Sequence, residues 1–388
     1  MRAKSTTQRW RETEALIIDE ISMVNAHLLD LVDNIARKVR RSSKPFGGIQ
    51  VIVSGDFFQL PPVPDVEGVR AKSSDLSFAF EAECWDTLFP EAYKLVKIFR
   101  QKDPKLISVL NEMRIGELSD TSIALLNTLS REMDFPDGIK PTEIYPYRHL
   151  VERANNDRMA RLASEGRLFM AEDKAGVDAF GIRISQMEAR KMLETRVPES
   201  LTLRTDAQVM CVQNISESNL MNGSIGRVLG FLTAKEAVEQ GYPVAGAPVK
   251  LSDKGVAERV SVSPKYMNLE WPLVRFTNGG EFLMLPSDFV LENAVGEMRA
   301  RRRQVPLILA WALTIHKAQG QTIDRLKVDL GRTFAPGQAY VAVSRCRTLE
   351  GLQLMNFTPK SVFVDPRVVE WDKKLILAPI EGARTKGH

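Results

Sequence analysis

Four apolar residues, Ala15-Leu16-Ile17-Ile18, stop abruptly at the acidic pair Asp19-Glu20. The run has the length of a buried strand, and the acids mark its end. Behind it Leu28, Leu29, Val32, Ile35, Ala36 and Val39 recur every three to four positions, with Asp30, Asp33, Arg37 and Lys38 between them. That spacing predicts an amphipathic helix. Residues 40–48 carry Pro and Gly and read as a loop, and a second apolar run at 49–53 stops at Ser54-Gly55-Asp56. Strand, helix and strand, with polar residues at both strand C-termini, predict a βαβ unit whose chemistry sits at the strand ends.

Further along, the Pro- and Gly-bearing stretch 61–75 reads as a surface loop, and 103–129 has helical spacing. A strand at 143–145 and a helix at 150–162 follow. Between about 200 and 300 the pattern turns to short β-rich pieces at 208–212, 226–231, 274–276 and 281–285, separated by turns such as Asn222-Gly223 and Asn278-Gly279. This predicts a small β-barrel inserted into an α/β domain. The α/β texture returns with strands at 307–312 and 326–330, a helix at 336–346 and a strand at 352–355; the tail after Lys373 is expected to be ordered only in part.

With 388 residues the chain can form two or three compact units. Hydrophobic residues at 44% and charged residues at 26% are ordinary for a soluble globular protein, and no apolar run approaches the roughly 20 residues that span a bilayer. Cys84, Cys211 and Cys346 lie far apart, in neither metal nor disulfide spacing, and are expected to pack as small apolar groups in a reducing compartment. The four histidines show no zinc-like spacing. A net charge of +4 is compatible with nucleic acid without requiring it. The first eleven residues are basic and hydroxyl-rich like a mitochondrial presequence, but Glu12 and Glu14 follow at once, so an interior segment exposed by a late start is the expectation.

Asp19 and Glu20 can be read in two ways. In phosphate-hydrolysing motors the first of two such carboxylates holds Mg²⁺ through water and the second polarises the attacking water; a simple polar strand terminus looks the same. The second strand also ends at a carboxylate, Asp56, followed by Gln59, an uncharged donor able to sense a terminal phosphate. Leu16-Ile-Ile-Asp-Glu-Ile-Ser-Met23, then Gly55-Asp-Phe-Phe-Gln-Leu-Pro-Pro-Val63, resemble motifs II and III of the Pif-type helicases, superfamily-one DNA motors related to RecD and Dda. Phe46-Gly-Gly-Ile-Gln50 resembles the same family. Phe99-Arg100-Gln101 with Leu110-Asn-Glu-Met-Arg-Ile-Gly116 resembles motif IV, 306–322 motif V and 338–352 motif VI, while 203–210 with 220–226 resembles the lead into the family's SH3-like insert.

The resemblance implies an α/β fold of two RecA-like motor domains, the first incomplete, with a small SH3-like β-barrel insert in the second. Its expected bounds are 1–95 for the first motor domain, 96–206 and 301–375 for the second, 207–300 for the insert and 376–388 for the tail. It implies an ATP-dependent 5′-to-3′ DNA helicase using ATP and Mg²⁺, acting in repair, recombination and telomere maintenance. Its partners would be single-stranded DNA and DNA junctions, with no membrane. A monomer is favoured, in the nucleus or the mitochondrion. The catalytic candidates are Asp19, Glu20, Gln59, Arg100 and Arg345. Asp19, Asp56, Gln59, Arg100, Gly320 and Arg345 would hold the nucleotide, and Asp19 the metal, through water.

Motifs V and VI also read from the residues alone. Thr314, His316, Lys317 and Gln319 cluster after a buried strand, with Gly320 allowing close backbone approach, and can hold a DNA phosphate. A helix terminus with solvated polar residues is the plainer alternative. Arg345 follows Ser344 on the expected 336–346 helix, where a guanidinium can stabilise charge on a transferring phosphoryl group; a lone helix arginine is more often a surface ion-pair partner. The basic runs 37–41 and 299–303 could touch a nucleic-acid backbone or serve as helix-end partners.

No Gly-x-x-x-x-Gly-Lys-Ser/Thr phosphate loop occurs anywhere in the 388 residues. The family carries it upstream of motif II, so this chain is expected to hold the hydrolytic half of an ATP site without the half that grips phosphate, and to hydrolyse ATP poorly by itself. The alternative is a helicase-derived module that binds single-stranded DNA or a partner without turnover.

Overall fold

Ala15–Ile18 and Gln50–Val53 pair in parallel, Ala15 opposite Gln50 through Ile18 opposite Val53, and the helix Ala26–Arg40 connects them. This is the βαβ unit expected from the pattern. The computed structural model describes residues 2–62, 77–194, 196–215, 218, 220–246, 250–251, 257–258, 264–293, 295–333 and 335–377. The end of the expected 61–75 loop, Val63 of the motif III segment and the last residues of the tail lie outside them. The chain divides into two units, Met1–Arg131 with Val328–His388, and Glu132–Lys327.

In the first unit the helix Ala26–Arg40 starts where the Asn25 side chain accepts the N–H of Leu28 at 2.7 Å. Asp33, on its inner face, accepts the N–H of Phe46 at 2.6 Å and the Arg37 guanidinium at 2.7 Å. That holds Phe46 fully buried with a positive φ of 46°. Arg40 donates to the carbonyls of Gly47, Trp10, Arg11 and Thr13. The last three close the end of a helix at Arg2–Glu12, which the pattern did not foretell. Two arginines of the basic run 37–41 thus hold backbone and carboxylate within the unit. The aromatic core centres on Phe57, whose ring meets Phe78, Phe80, Trp85 and Trp371 edge-on. Trp371 comes from the helix Pro366–Asp372. Ile17 and Ile52, on the far face of the strand pair, are 69% and 45% exposed.

In the second unit Ala312–Thr314 runs parallel to Thr142–Tyr145. Asn155, on the helix Arg148–Ala160, fixes the pair by accepting from the N–H of Ala312 at 2.9 Å and donating to its carbonyl at 3.1 Å. A six-stranded sheet runs in the order Val244–Ala245, Glu281–Met284, Glu270–Phe276, Ile225–Thr233, Gln208–Cys211, Leu307–Leu309. Val228, Trp271, Val274 and Leu283 fill its core. The expected single strand 307–312 is two strands in two sheets: Leu307–Leu309 pairs antiparallel with Gln208–Cys211, and Ala312–Thr314 belongs to the parallel pair. The break is satisfied on both sides. The N–H of Ala310 donates to the Gln208 carbonyl, the Gln208 amide donates to the Ala310 carbonyl, and the N–H of Glu143 donates to the Trp311 carbonyl.

The basic run 299–303 lies on a strand, Met298–Gln304, between Ser287–Glu292 and Glu172–Ala175. Strand alternation splits its charges between two faces. Arg303 pairs with Asp288 through both nitrogens, at 2.8 and 2.7 Å. Arg302 is fully buried, bidentate to Asp173 at 2.8 Å, bonded to Glu194 at 2.8 Å and donating to the Val197 carbonyl at 2.7 Å. All three cysteines are buried, and no helix among the described residues is long and apolar enough to cross a membrane.

Removing the buried cation strands Asp173, which is itself almost inaccessible. Arg302→Met is therefore expected to destabilise the second unit by about 3–5 kcal/mol. Adding Asp173→Leu should recover much of that loss in urea denaturation followed by circular dichroism.

Candidate functional site

The two acid-ended strands of the first unit are joined beyond their ladder. The N–H of Ser54 donates to the Ile18 carbonyl and that of Ile21 to the Ser54 carbonyl, each at 2.9 Å. Gly55 is required here, since a Cβ would sit 2.9 Å from the Ile21 nitrogen. Asp19 is exposed, with one oxygen accepting the N–H of Glu20 at 2.9 Å. Glu20 is held in the left-handed region at φ 53°, a conformation that costs a non-glycine residue roughly 1–3 kcal/mol and tends to occur at functional sites.

Asp56 is engaged by Arg114 at 2.8 and 3.2 Å, and Arg114 also lies over the Phe58 ring at 4.2 Å and within 3.5 Å of Asp372. Asp56 further accepts the N–H of Phe58 at 3.2 Å. Its carboxylate thus fixes the turn that leads to Gln59. The Gln59 side-chain oxygen is buried with no hydrogen-bond partner among the described residues. It lies at a cleft lined by Phe58, Pro336, Gly337 and Asp365. An orphaned acceptor costs stability in the absence of a partner, which fits a group placed to meet a water or a ligand hydroxyl.

The helix Gln338–Val343 begins at Gly337, which has φ 73°. A Cβ there would fall 2.2 Å from the Phe58 carbonyl oxygen and 2.9 Å from that of Gln59. The helix start therefore rests directly on the Gln59 turn. Arg345, just beyond that helix, is 2% exposed, donating to the Val341 carbonyl at 3.0 Å and the Ser344 hydroxyl at 2.9 Å. Burial pushes its pKa down to about 10, and the positive charge of Arg100 adds to the fall, while Tyr340, Glu20 and Asp56 oppose it. Tyr340 is pushed up to about 12 by burial and by Asp56. Gln101, next to Arg100, is buried and donates to the carbonyls of Ser344 and Cys346 at 2.8 and 3.0 Å.

The structure thus gathers Glu20, Asp56, Arg100 and Arg345 into one charged neighbourhood, with Asp19 adjoining Glu20 and Gln59 on the turn that Gly337 supports. Sequence reasoning missed Arg114, Tyr340 and Gln101. Arg114 had a legible signal, an arginine on a helix whose Leu106, Val109, Leu110 and Met113 are all buried. Among the described residues no group of three or more His, Cys, Asp or Glu side chains is placed to hold a metal.

Gly320 and the polar cluster belong to the second unit. Thr314 caps the short helix Ile315–Ala318 by accepting the N–H of Lys317 at 3.2 Å, which leaves its hydroxyl proton to donate. His316 and Lys317 reach solvent, and Gln319 is half-buried. Partial desolvation and the neighbouring charge of Arg148 push the Lys317 pKa below its ordinary value. Gly320 has φ 75° with open space where a Cβ would go, so its backbone is accessible.

The family model of PIF1-like helicases matches residues 1–124. The crystal structure of Pif1 helicase from Candida albicans is 34% identical, aligns over 96% of this chain and 79% of that one, and superimposes with a TM-score of 0.69. The chain belongs to the PIF1-like helicase family. It has the family's mixed α/β fold. ATP-dependent DNA helicase PIF1 of Emericella nidulans is 42% identical over 391 residues, covering 95% of this chain and 50% of that protein. Pif1 helicase from Bacteroides in complex with ADP-AlF3 and ssDNA is 29% identical, with a TM-score of 0.54 over 95% of this chain and 76% of that one. The chain spans about half the length of the curated relatives it matches.

Gly337→Ala is expected to destabilise the first unit by at least about 2 kcal/mol, because the methyl group meets backbone oxygens and the left-handed φ disfavours it. Differential scanning calorimetry would show a lowered transition, whereas Gly320→Ala, with space for its Cβ, should cost less.

Proposed function

We propose that these residues form the water-activating and charge-sensing side of the ATP site of a 5′-to-3′ DNA helicase motor, together with part of its grip on single-stranded DNA. The observation that carries the reading is the buried Arg345 beside Arg100, Glu20 and Asp56, on a segment whose first glycine rests on the Gln59 turn. Glu20 would take the proton of the attacking water, Gln59 would orient that water, and Arg100 and Arg345 would stabilise charge on the phosphoryl oxygens. Asp56, engaged by Arg114, would act by fixing the Gln59 turn. Asp19 is a suitable outer ligand for Mg²⁺, which keeps several waters and takes few carboxylates; when bound with the nucleotide it would draw charge from the phosphates.

Thr314, His316, Lys317 and Gln319 would hold the DNA backbone, with Gly320 letting the chain approach closely. The strands of the six-stranded sheet that lie within 207–300 are read as the SH3-like insert in the second of two RecA-like motor domains, the first of them incomplete. The Bacteroides relative bound to ADP-AlF3 and ssDNA supports both ligand classes. Forked DNA, also bound by a relative, supports junctions as substrates. Work in DNA repair, recombination and telomere maintenance, as a monomer in the nucleus or mitochondrion, completes the proposal.

The lack of a phosphate-loop string in the 388 residues favours a second reading of this chain by itself, a single-stranded-DNA or partner-binding module without turnover. The purified chain is expected to show no DNA-stimulated phosphate release above a Glu20→Gln control in a coupled ATPase assay. DNA-stimulated turnover abolished by Glu20→Gln would overturn that expectation and show a site complete in these residues.

A further inference from the structure

Tyr145 and Thr314 are register partners in the parallel pair of the second unit, so both strands release the chain at the same sheet edge. After Thr314 come His316 and Lys317 of the proposed DNA grip. After Tyr145 come Pro146, Tyr147, Arg148 and His149, a segment to which the motif reading assigned no DNA role. The rings of Tyr147 and His149 lie stacked, with centroids 5.7 Å apart and planes 18° from parallel. Tyr147 is 48% exposed and His149 is exposed as well. The Arg148 side chain is 75% exposed, and its ion pair with Glu152 is a weak surface one. The helix Ile315–Ala318 packs against the strand Thr142–Tyr145, and the helix that begins at Arg148 packs against Ala312–Thr314. The two segments are therefore neighbours in space as well as in register, and the charge of Arg148 reaches Lys317.

An aromatic pair held at the surface beside cations is suited to single-stranded nucleic acid. Bases stack on ring faces while the phosphates meet the positive side chains. Duplex DNA keeps its bases stacked on one another and has no such use for the rings. We propose that Tyr147 and His149 form a base-stacking platform for single-stranded DNA, whose phosphates run over Arg148, His316 and Lys317. This deepens the proposed DNA grip and rests on it.

The test compares two labelled oligonucleotides of equal length and charge, one a normal single strand and one with abasic sites through its interior, by fluorescence anisotropy with the purified chain. The wild type is expected to bind the base-bearing strand about tenfold more tightly, the scale of one base–ring stack. Tyr147→Ala and His149→Ala should erase that preference, and Tyr147→Phe should keep it, because stacking does not need the hydroxyl. Lys317→Ala should weaken both strands alike, since it removes a phosphate contact. If the alanine variants, folded by circular dichroism, keep the wild-type preference for bases, the platform is wrong while the grip stands. If the wild type binds neither strand, or Lys317→Ala binds both as the wild type does, the grip itself fails. Absence of wild-type binding would overturn the platform as well.

Discussion

Gly337 lies so close to the turn before it in space that a Cβ would fall 2.2 Å from the Phe58 carbonyl oxygen. Only a residue without a side chain can begin the Gln338–Val343 helix there, and the φ of 73° leads to the same choice. The start of that helix is set by this contact, and the placement of Arg345 depends on it. Arg345 is held by the last turn itself, through the Val341 carbonyl and the Ser344 hydroxyl. The turn is braced in addition by Gln101 on the Ser344 and Cys346 carbonyls. A shift at Gly337 would therefore reach both the Gln59 turn and the guanidinium, because they are opposite ends of one short rigid path.

The Gln59 turn is fixed from its other side by Asp56. Its carboxylate accepts from Arg114 and from the N–H of Phe58, and the Arg114 guanidinium covers the Phe58 ring. Arg114 comes from the helix Pro104–Ile115, whose other inward residues are apolar. One ion pair thus joins that helix to the acidic strand end in partly buried surroundings, where it is worth more than a solvent-exposed pair. A carboxylate at a strand terminus need not meet the ligand to matter to it. Asp56 can set the position of Gln59 while its own oxygens stay occupied.

Much of the fold was legible because it depends on local pattern. The strands Ala15–Ile18 and Leu352–Met355, the helix between the first two strands, and the β-rich pieces of the second unit follow from periodicity and turn residues. The helix Arg2–Glu12 was not, because its side chains carry little apolar face and its end is closed by Arg40, about thirty residues away. The run 299–303 misled for a related reason. Five residues rich in arginine look solvated, but Asp173 and Glu194 make an interior place for Arg302 that only the tertiary structure reveals. The break at Ala310-Trp311 was invisible because both halves are apolar; what separates them is which backbone groups meet Gln208 and Glu143. At the candidate site the motif residues could be named from sequence, but the roles of Gln101 and Tyr340 could not, since their importance lies in whom they touch.

The charge arrangement of the first unit says something about what it is built to receive. Burial pushes the Arg345 pKa down to about 10, and the positive charge of Arg100 adds to the fall. Glu20, Asp56 and Tyr340 offset this only in part, and Asp56 is already committed to Arg114. A polyanion that met both guanidinium groups would turn one repulsion into two attractions. The same interaction would be weak at an exposed surface. Under the proposed reading, a ligand carrying several negative charges would offset that repulsion better than one carrying a single charge.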